Sequence, residues 1–242
     1  MGIIEWCKQR LLPGKDWSLD VDLRYLPVAR FLDRNLPQGS VLEIGASRTG
    51  ITPYLPRTII GCDVSFPPEI TPMLVPVVAR GTLPFREESF DAVISLDTLE
   101  HVPREARQLF IDEMFRVSRR YIVAGFPEGE AAERHDGVME AYYKRHRVEA
   151  HEYFLEHRQF RIPRREEAAS YLAEAARKHG RAYNAHRVKN VNVLLRSLFM
   201  RTVWSSSPLL QKSYTLLTAL SRWDSAFHHG TCYRSIYFVT LD

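Results

Sequence analysis

The 242-residue sequence is 45% hydrophobic and 26% charged, which is ordinary globular usage and excludes an intrinsically disordered chain. Its length suits one large α/β domain, or one domain with a sizeable insertion. No segment reaches the ~18 uninterrupted apolar residues of a membrane span. The three cysteines (Cys7, Cys62 and Cys232) contain no CxxC pair and, being odd in number, cannot form a complete disulfide set, so we expect a reducing, cytoplasmic setting.

The net charge of +4 is unevenly distributed. Residues 1–125 carry 15 Lys and Arg against 16 Asp and Glu, whereas residues 126–242 carry 18 against 13. The basic second half favours an anionic partner such as phosphate, nucleic acid or acidic lipid, although an ordinary solvated surface explains so modest an excess equally well. The first residues, interrupted by Glu5 and Lys8, lack the apolar core of a signal peptide.

The first half of the chain alternates predicted helices and strands. Helical spacing of leucines predicts a helix over 19–36, ended by Pro37-Gln38-Gly39. Apolar runs then predict five strands at 40–45, 58–63, 73–79, 90–96 and 121–127, with a short helical turn at 49–55 and an amphipathic helix at 103–118. Pro76 favours an edge position for the third strand because proline cannot donate a ladder hydrogen bond. This order indicates βαβ units and a parallel sheet.

The second half follows a different pattern. Residues 128–160 are polar and predicted to be mainly helical, and 165–179 form a helix ended by Gly180. A strand is expected at 182–190. Apolar residues at helical spacing over 191–223 indicate a lid or packing layer, although Arg196, Arg201, Lys212 and Arg222 would also suit contact with an acidic membrane surface. The alternating, aromatic-rich stretch 232–240 predicts a terminal strand.

Two strand ends combine features that suit a nucleotide-like ligand. The first strand ends at Gly45 and turns at once towards a helix, a geometry that lets backbone N–H groups approach a ligand closely. The second ends at Asp63, eighteen residues later. In a doubly wound sheet this acid would lie beside the first turn and could accept hydrogen bonds from ribose hydroxyls. Either feature alone is common in purely structural turns.

The order of these features resembles class I S-adenosylmethionine-dependent methyltransferases, in the small-molecule and glycan branch. The resemblance rests on VLEIGASRTGITPYL, GCDVS, GTLPFREESFDAVISLDTLEHVP and FIDEMFRVSRRYIVAGFP, and covers roughly residues 38–127. It implies a Rossmann-like, mainly parallel seven-stranded sheet with an antiparallel last strand. It also implies one domain over 1–242, with an N-terminal helical cap (1–37), a cofactor-binding core (38–127) and helical insertions over the acceptor (128–162 and 191–231).

The resemblance further implies S-adenosyl-L-methionine as cofactor and a set of residues around it. Glu43 would lie under the cofactor, Asp63 would bind the ribose and Val64 would pack on the adenine. The full implied set is Glu43, Gly45, Ala46, Ser47, Gly50, Asp63, Val64, Thr82, Leu83 and Leu96. The sequence departs from the family at Ser47 and Thr49, where glycine is usual. A β-branched residue at a positive φ would be strained, and Gly50 is expected to supply the freedom one step later.

Asp97, His101 and His157 are the candidate general bases, needed only if the acceptor is a hydroxyl. Asp97 follows the fourth strand, where the resemblance places the sulfonium. Glu100-His101 could instead cap a helix and stabilise the fold. Glu156-His157 would belong either to a substrate-covering insertion or to a solvated helix face. No HExxH motif or Cys cluster exists and His228-His229 lacks further ligands at metal spacing, so no metal site is predicted.

Three functions compete at this point. A small-molecule or glycan methyltransferase is favoured by the motifs and the helical insertions. A nucleic-acid methyltransferase is suggested by the basic second half, but no RNA-binding module is visible, so nucleic acid is an unlikely partner. A non-catalytic binding protein that retains the fold is suggested by Ser47 and Thr49.

Overall fold

The structure is a computed structural model that describes residues 19–146, 152–203, 207, 209 and 225–242. The sequence predictions for residues 1–18 and for nearly all of 204–224 lie outside the described residues. The division into cap, core and insertions stays a prediction.

Seven strands form one sheet, in the order β3-β2-β1-β4-β5-β7-β6. Strands β1 to β5 run parallel, and β7 pairs antiparallel with both β5 and β6. This confirms the predicted Rossmann-like class and the antiparallel last strand. The bounds are β1 Val41–Ile44, β2 Ile59–Asp63, β3 Leu74–Val78, β4 Phe90–Leu96, β5 Ser118–Pro127, β6 Tyr183–Asn192 and β7 Cys232–Leu241.

Within the described ranges, six helices lie around the sheet: α1 Leu19–Asn35, α2 Arg107–Val117, α3 Gly129–His146, α4 Glu152–Phe160, α5 Arg165–Lys178 and α6 Val193–Val203. Two 3-10 helices, Leu99–His101 and Arg104–Ala106, connect β4 to α2. The segment 47–54 folds as successive turns. The Gly50 amide donates to the Ala46 carbonyl and the Leu55 amide to the Ile51 carbonyl, as expected of the short helical turn predicted at 49–55. Among the described residues, no helix is long and apolar enough to cross a membrane.

Both faces of the sheet are covered, which is why β1 is buried along its whole length. One apolar cluster joins α2 and α5 to the sheet through residues such as Met114, Phe115 and Leu172. A second covers the opposite face with Val28 and Leu32 of α1. The order of the central strands reverses between β1 and β4, and in open α/β sheets ligands bind at the carboxyl ends of the strands beside this point.

Candidate active site

The turn after β1 depends on glycine at its first position. Gly45 has a φ of +79°, and a Cβ built there would collide with the Thr98 side chain, which lies just beyond the end of β4. Only glycine therefore allows the ends of the two central strands to come this close. The Gly45 amide donates to the Cys62 carbonyl at 2.8 Å, which ties the turn to the end of β2.

Of the two positions in this turn where glycine is usual, Ser47 and Thr49, only Ser47 has a strained backbone. Ser47 has a φ of +47° and Gly50 a φ of +49°, whereas Thr49 has no positive φ. Gly50 thus supplies the left-handed position expected of it, and the strain anticipated for Thr49 does not arise. A left-handed serine costs roughly 1–2 kcal/mol. In this conformation the Ser47 amide donates to Asp63 Oδ2 at 2.9 Å.

Glu43 supports the turn from below. Its side chain is fully buried and accepts hydrogen bonds from the Tyr25 hydroxyl at 2.7 Å and the Ile51 amide at 2.6 Å. Burial raises the pKa of Glu43 to about 7, although both hydrogen bonds oppose that rise. A Cβ at Gly50 would collide with the Glu43 carboxylate, so acid and glycine fit together as one unit.

Asp63 and Val64 are both accessible at the end of β2. The Asp63 carboxylate accepts the Ser47 amide on one oxygen and the Val64 amide, at 2.7 Å, on the other. An ionised carboxylate has about four acceptor positions, so two remain for hydroxyl donors. Val64 is 53% exposed, which is high for a large apolar residue. An acid with spare acceptor capacity therefore stands next to an uncovered apolar side chain.

Asp97 is enclosed by two arginines. Arg24 of α1 donates to Asp97 Oδ2 at 2.8 Å, and Arg234 of β7 donates to both carboxylate oxygens at 2.5 Å. Burial alone would raise the pKa of Asp97, but the two guanidinium groups outweigh it and hold the pKa below its ordinary value. An acid held in this way stays ionised and is a weak base, so its contacts favour a positioning role. Its part in catalysis stays a prediction.

The arginines around Asp97 belong to a larger buried ion network. Arg196 of α6 pairs with Asp20 at 3.0 Å, and Arg234 also reaches Asp20 at 3.3 Å. The Arg196 guanidinium lies 3.6 Å from the ring centroid of Tyr233. The interpretation of Arg196 as a surface contact for acidic lipid is therefore wrong, because its side chain is only 6% exposed. No sequence motif marks Arg24 or Arg234 as partners of Asp97.

The two candidate histidines meet although they are 56 residues apart in sequence. Their ring centroids are 5.0 Å apart. His101 Nδ1 donates to Glu156 at 2.5 Å, and His157 Nδ1 donates to Asp136 at 2.7 Å. His157 is 7% exposed, which overturns the solvated-face interpretation for this residue. Burial, reinforced by His157, lowers the pKa of His101 below its ordinary value, so its imidazole is neutral near pH 7.

Residues 42–121, a third of the chain, match the family model of a methyltransferase domain. This segment contains β1 to β4 and the turns described above, in the strand order that the motifs imply. The matched segment is a methyltransferase domain of the class I, S-adenosylmethionine-dependent type. Its methyl donor is S-adenosylmethionine, and the match to an enzyme domain counts against the non-catalytic alternative.

Solved structures share the fold of this methyltransferase at low identity. A possible histamine N-methyltransferase of Thermotoga maritima is 16% identical with a TM-score of 0.52, over 98% of this chain and 95% of that one. Magnesium protoporphyrin IX methyltransferase of Synechocystis is 12% identical with a TM-score of 0.54, over 98% and 94%. A Burkholderia thailandensis 1,6-didemethyltoxoflavin-N1-methyltransferase is 14% identical with a TM-score of 0.51, over 99% and 86%. No curated protein matches the sequence.

The residues at the β1–β2 edge fit the nucleoside part of the methyltransferase's cofactor. A ribose diol needs two acceptors, which Asp63 retains, and an adenine ring needs an apolar face, which Val64 offers. Thr82 is exposed and free to border the ring. Leu83 and Leu96 are 7% and 2% exposed, so they support this edge mainly by packing. Ala46, at 2%, does the same. These individual assignments stay predictions.

Proposed function

We propose that this methyltransferase transfers a methyl group to an oxygen or nitrogen atom of a polar small molecule or glycan. The observation that carries the proposal is a cavity of about 750 Å³ bordered by α3, α4, α5, the loop between α4 and α5, and Arg104 of the second 3-10 helix. That volume lies within the ~300–1,000 Å³ typical of small-molecule sites. His157 lines the cavity and contacts His101 just beyond β4, so the cavity adjoins the carboxyl edge of the sheet.

The lining of the cavity favours a polar acceptor. Charged side chains of both signs dominate it, namely Arg104, Arg158, Arg161 and Arg164 together with Glu133, Asp136, Glu140, Glu166 and Glu167. An apolar acceptor would take these groups out of water without offering hydrogen bonds in return. Hydroxyl groups, which both donate and accept hydrogen bonds, would satisfy side chains of both signs. A hydroxyl-rich sugar is the acceptor class that matches best.

In this proposal the protein acts mainly by positioning. The sulfonium of the bound cofactor supplies the methyl group as an electrophile. Asp63 holds the ribose and Val64 packs against the adenine. The buried Glu43 stabilises the turn that follows β1. His101, neutral near pH 7, would accept the proton of a hydroxyl acceptor. Holding the methyl group and the acceptor atom in line supplies much of the rate of methyl transfer, because an encounter between two free molecules becomes a reaction within one complex.

A nucleic-acid acceptor is less well supported because several basic groups of the second half are paired or buried within the protein. Arg158 binds both carboxylate oxygens of Glu140 at 2.6 Å, and Lys178 pairs with Asp112 at 2.7 Å. Arg196 and Arg234 are buried. These four described side chains are therefore not available to contact a phosphate backbone. Cytoplasmic placement stays a prediction that rests on the cysteine pattern.

The test is transfer of a labelled methyl group from S-adenosylmethionine to a panel of sugar phosphates, acidic oligosaccharides and structured RNA. We expect label in a sugar fraction and little change in rate between 50 and 200 mM salt. Arg158→Gln should raise the KM for that acceptor several-fold, whereas Arg134→Gln, on the same helix pair but outside the cavity, should not. Label in RNA with a steep loss of affinity in salt would refute the proposal.

A further inference from the structure

Three side chains that bind metals in other proteins converge at the carboxyl end of β4. Glu100 and His101 lie in the 3-10 helix that follows β4, and His157 reaches them from α4. One ligand atom from each lies within 4.8 Å of the other two. His101 Nε2 is 3.9 Å from Glu100 Oε1. The group is largely enclosed, with Glu100 1% and His157 7% exposed.

Each histidine is oriented by a carboxylate on its far nitrogen. The Nδ1–H of His101 donates to Glu156 and that of His157 to Asp136. With the proton on Nδ1, each Nε2 keeps a free lone pair, which is the tautomer that a metal ion needs. Carboxylates in this position are typical of protein metal sites, where they fix the ring and make the ligand more basic.

Two atoms at the centre of the group have no partner. Among the described residues, neither His157 Nε2 nor Glu100 Oε2 makes a hydrogen bond, although both are buried. An unsatisfied buried polar atom costs about 1–3 kcal/mol. A cation between these atoms would satisfy both of them.

We propose that Glu100, His101 and His157 bind a divalent first-row transition-metal ion. Two imidazoles and one carboxylate favour ions such as Zn²⁺, Co²⁺ or Fe²⁺ over Mg²⁺ and Ca²⁺, which prefer all-oxygen ligands. Metal–ligand bonds of about 2.0–2.2 Å require the three side chains to close by about an ångström. Three protein ligands leave coordination positions open for water or an acceptor oxygen, and His157 also lines the cavity through which the ion would enter.

This proposal differs from the sequence prediction of no metal site. That prediction relied on local motifs, whereas this ligand set combines an adjacent pair with a residue 56 positions later. The inference does not rest on the identity of the methyl acceptor, but it excludes His101 as the general base while the ion is bound, because the only unprotonated nitrogen of its ring would then be a ligand. Metal binding can therefore be tested without any knowledge of the acceptor, and its failure would leave the proposed glycan or small-molecule activity intact.

The experiment uses the full chain without an affinity tag, stripped with a chelator and dialysed against Zn²⁺ or Co²⁺. We expect about one ion per chain by elemental analysis, and visible d–d bands when Co²⁺ is bound. A tenfold excess of Mg²⁺ should not displace the ion. Less than a tenth of an ion per chain in the folded wild type would overturn the proposal.

Variants locate the ion. His157→Ala and Glu100→Gln should abolish stoichiometric binding, whereas His186→Ala, an exposed histidine on β6, should bind as the wild type does. Asp136→Asn leaves all three ligands in place and should weaken binding by about 10–100-fold. Circular dichroism shows which of the metal-free variants are folded. If His157→Ala is unfolded, Asp136→Asn provides the test of the ligand set. Wild-type affinity in a folded His157→Ala variant and in Asp136→Asn would refute this ligand set.

Discussion

Asp63 carries the ribose assignment, and its removal should be measurable in cofactor binding. Asp63→Ala should weaken the binding of S-adenosylhomocysteine by about 1–3 kcal/mol, because a charge-assisted pair of hydrogen bonds is lost. Calorimetric titration measures this directly, with Asp33→Ala as a control on the exposed side of α1. Asp63→Asn, which keeps acceptor atoms for the Ser47 amide, should lose less. Equal affinity in Asp63→Ala and the wild type would show that the ribose lies elsewhere.

Glu43 makes the stability of the protein depend on pH with a sign opposite to that of an acid in an ordinary ion pair. Burial raises the pKa of Glu43 from 4.5 to about 7. Between these values the unfolded chain releases a proton that the folded protein keeps, so stability falls as the pH rises through this window and is level above it. The difference corresponds to about 3 kcal/mol.

Glu43→Gln imitates the protonated acid, since its amide can donate to Tyr25 and accept from Ile51. From pH 4 to pH 8, the free energy of unfolding of the variant should therefore gain about 3 kcal/mol relative to the wild type. Urea unfolding at several pH values without ligand provides the measurement. Parallel pH profiles for the two proteins would mean that folding does not raise the pKa of Glu43.

At this scale the sequence predicts residues whose role depends on local backbone and misses those whose partners are distant. Gly45, Gly50 and Asp63 stand at strand ends and turns that spacing identifies, and the structure places them there. By contrast, the sequence does not predict that Arg234 binds Asp97 at 2.5 Å, because the two residues are 137 positions apart. A separation of 56 residues likewise made the contact between His101 and His157 unpredictable from the sequence.

Among the elements, strands were predicted best because a buried parallel strand is a short apolar run with little ambiguity. All seven were found, and Pro76 correctly indicated that β3 lies at the edge. One boundary differs from the prediction. β5 begins at Ser118, before the apolar run, and Arg119 and Arg120 extend the strand while remaining exposed to solvent.

Arg107 fastens α2 to the chain that follows α4, and this contact can be tested as a unit. Its fully buried guanidinium donates to the carbonyls of Val102, Phe160 and Arg161. Arg107→Met should lower the free energy of unfolding by about 2–4 kcal/mol, because three carbonyls lose charge-assisted hydrogen bonds. Limited proteolysis should then cleave near 160–164 sooner than in the wild type. Arg116→Met is the comparison. It should not speed cleavage near 160–164, because Arg116 donates to the carbonyls of Leu83 and Phe85 instead.

For the whole molecule, the ion network is the feature that connects the two ends of the chain. Asp20 and Arg24 come from α1, Asp97 from the end of β4, Arg196 from α6 and Arg234 from β7. Each element has an apolar face that packs independently of these charges. The sequence could therefore predict the sheet, but it could not predict that these charged side chains would pair with one another near the carboxyl ends of the parallel strands.

Asp97→Asn should destabilise the whole fold, because it leaves Arg24 and Arg234 buried with too little negative charge. Breaking a buried ion pair from one side typically costs about 3–5 kcal/mol. Urea unfolding at pH 7 should show such a loss, while Glu130→Gln, which breaks the exposed pair with Arg134, should change stability by less than about 1 kcal/mol. The difference between Asp97→Asn and the wild type should narrow below about pH 4, where protonation of Asp97 in the unfolded wild type begins to remove the same contribution. A loss below 1 kcal/mol at pH 7 would mean that water or a neighbouring acid such as Glu100 compensates the arginines, and Asp97 would then be free to act on the substrate.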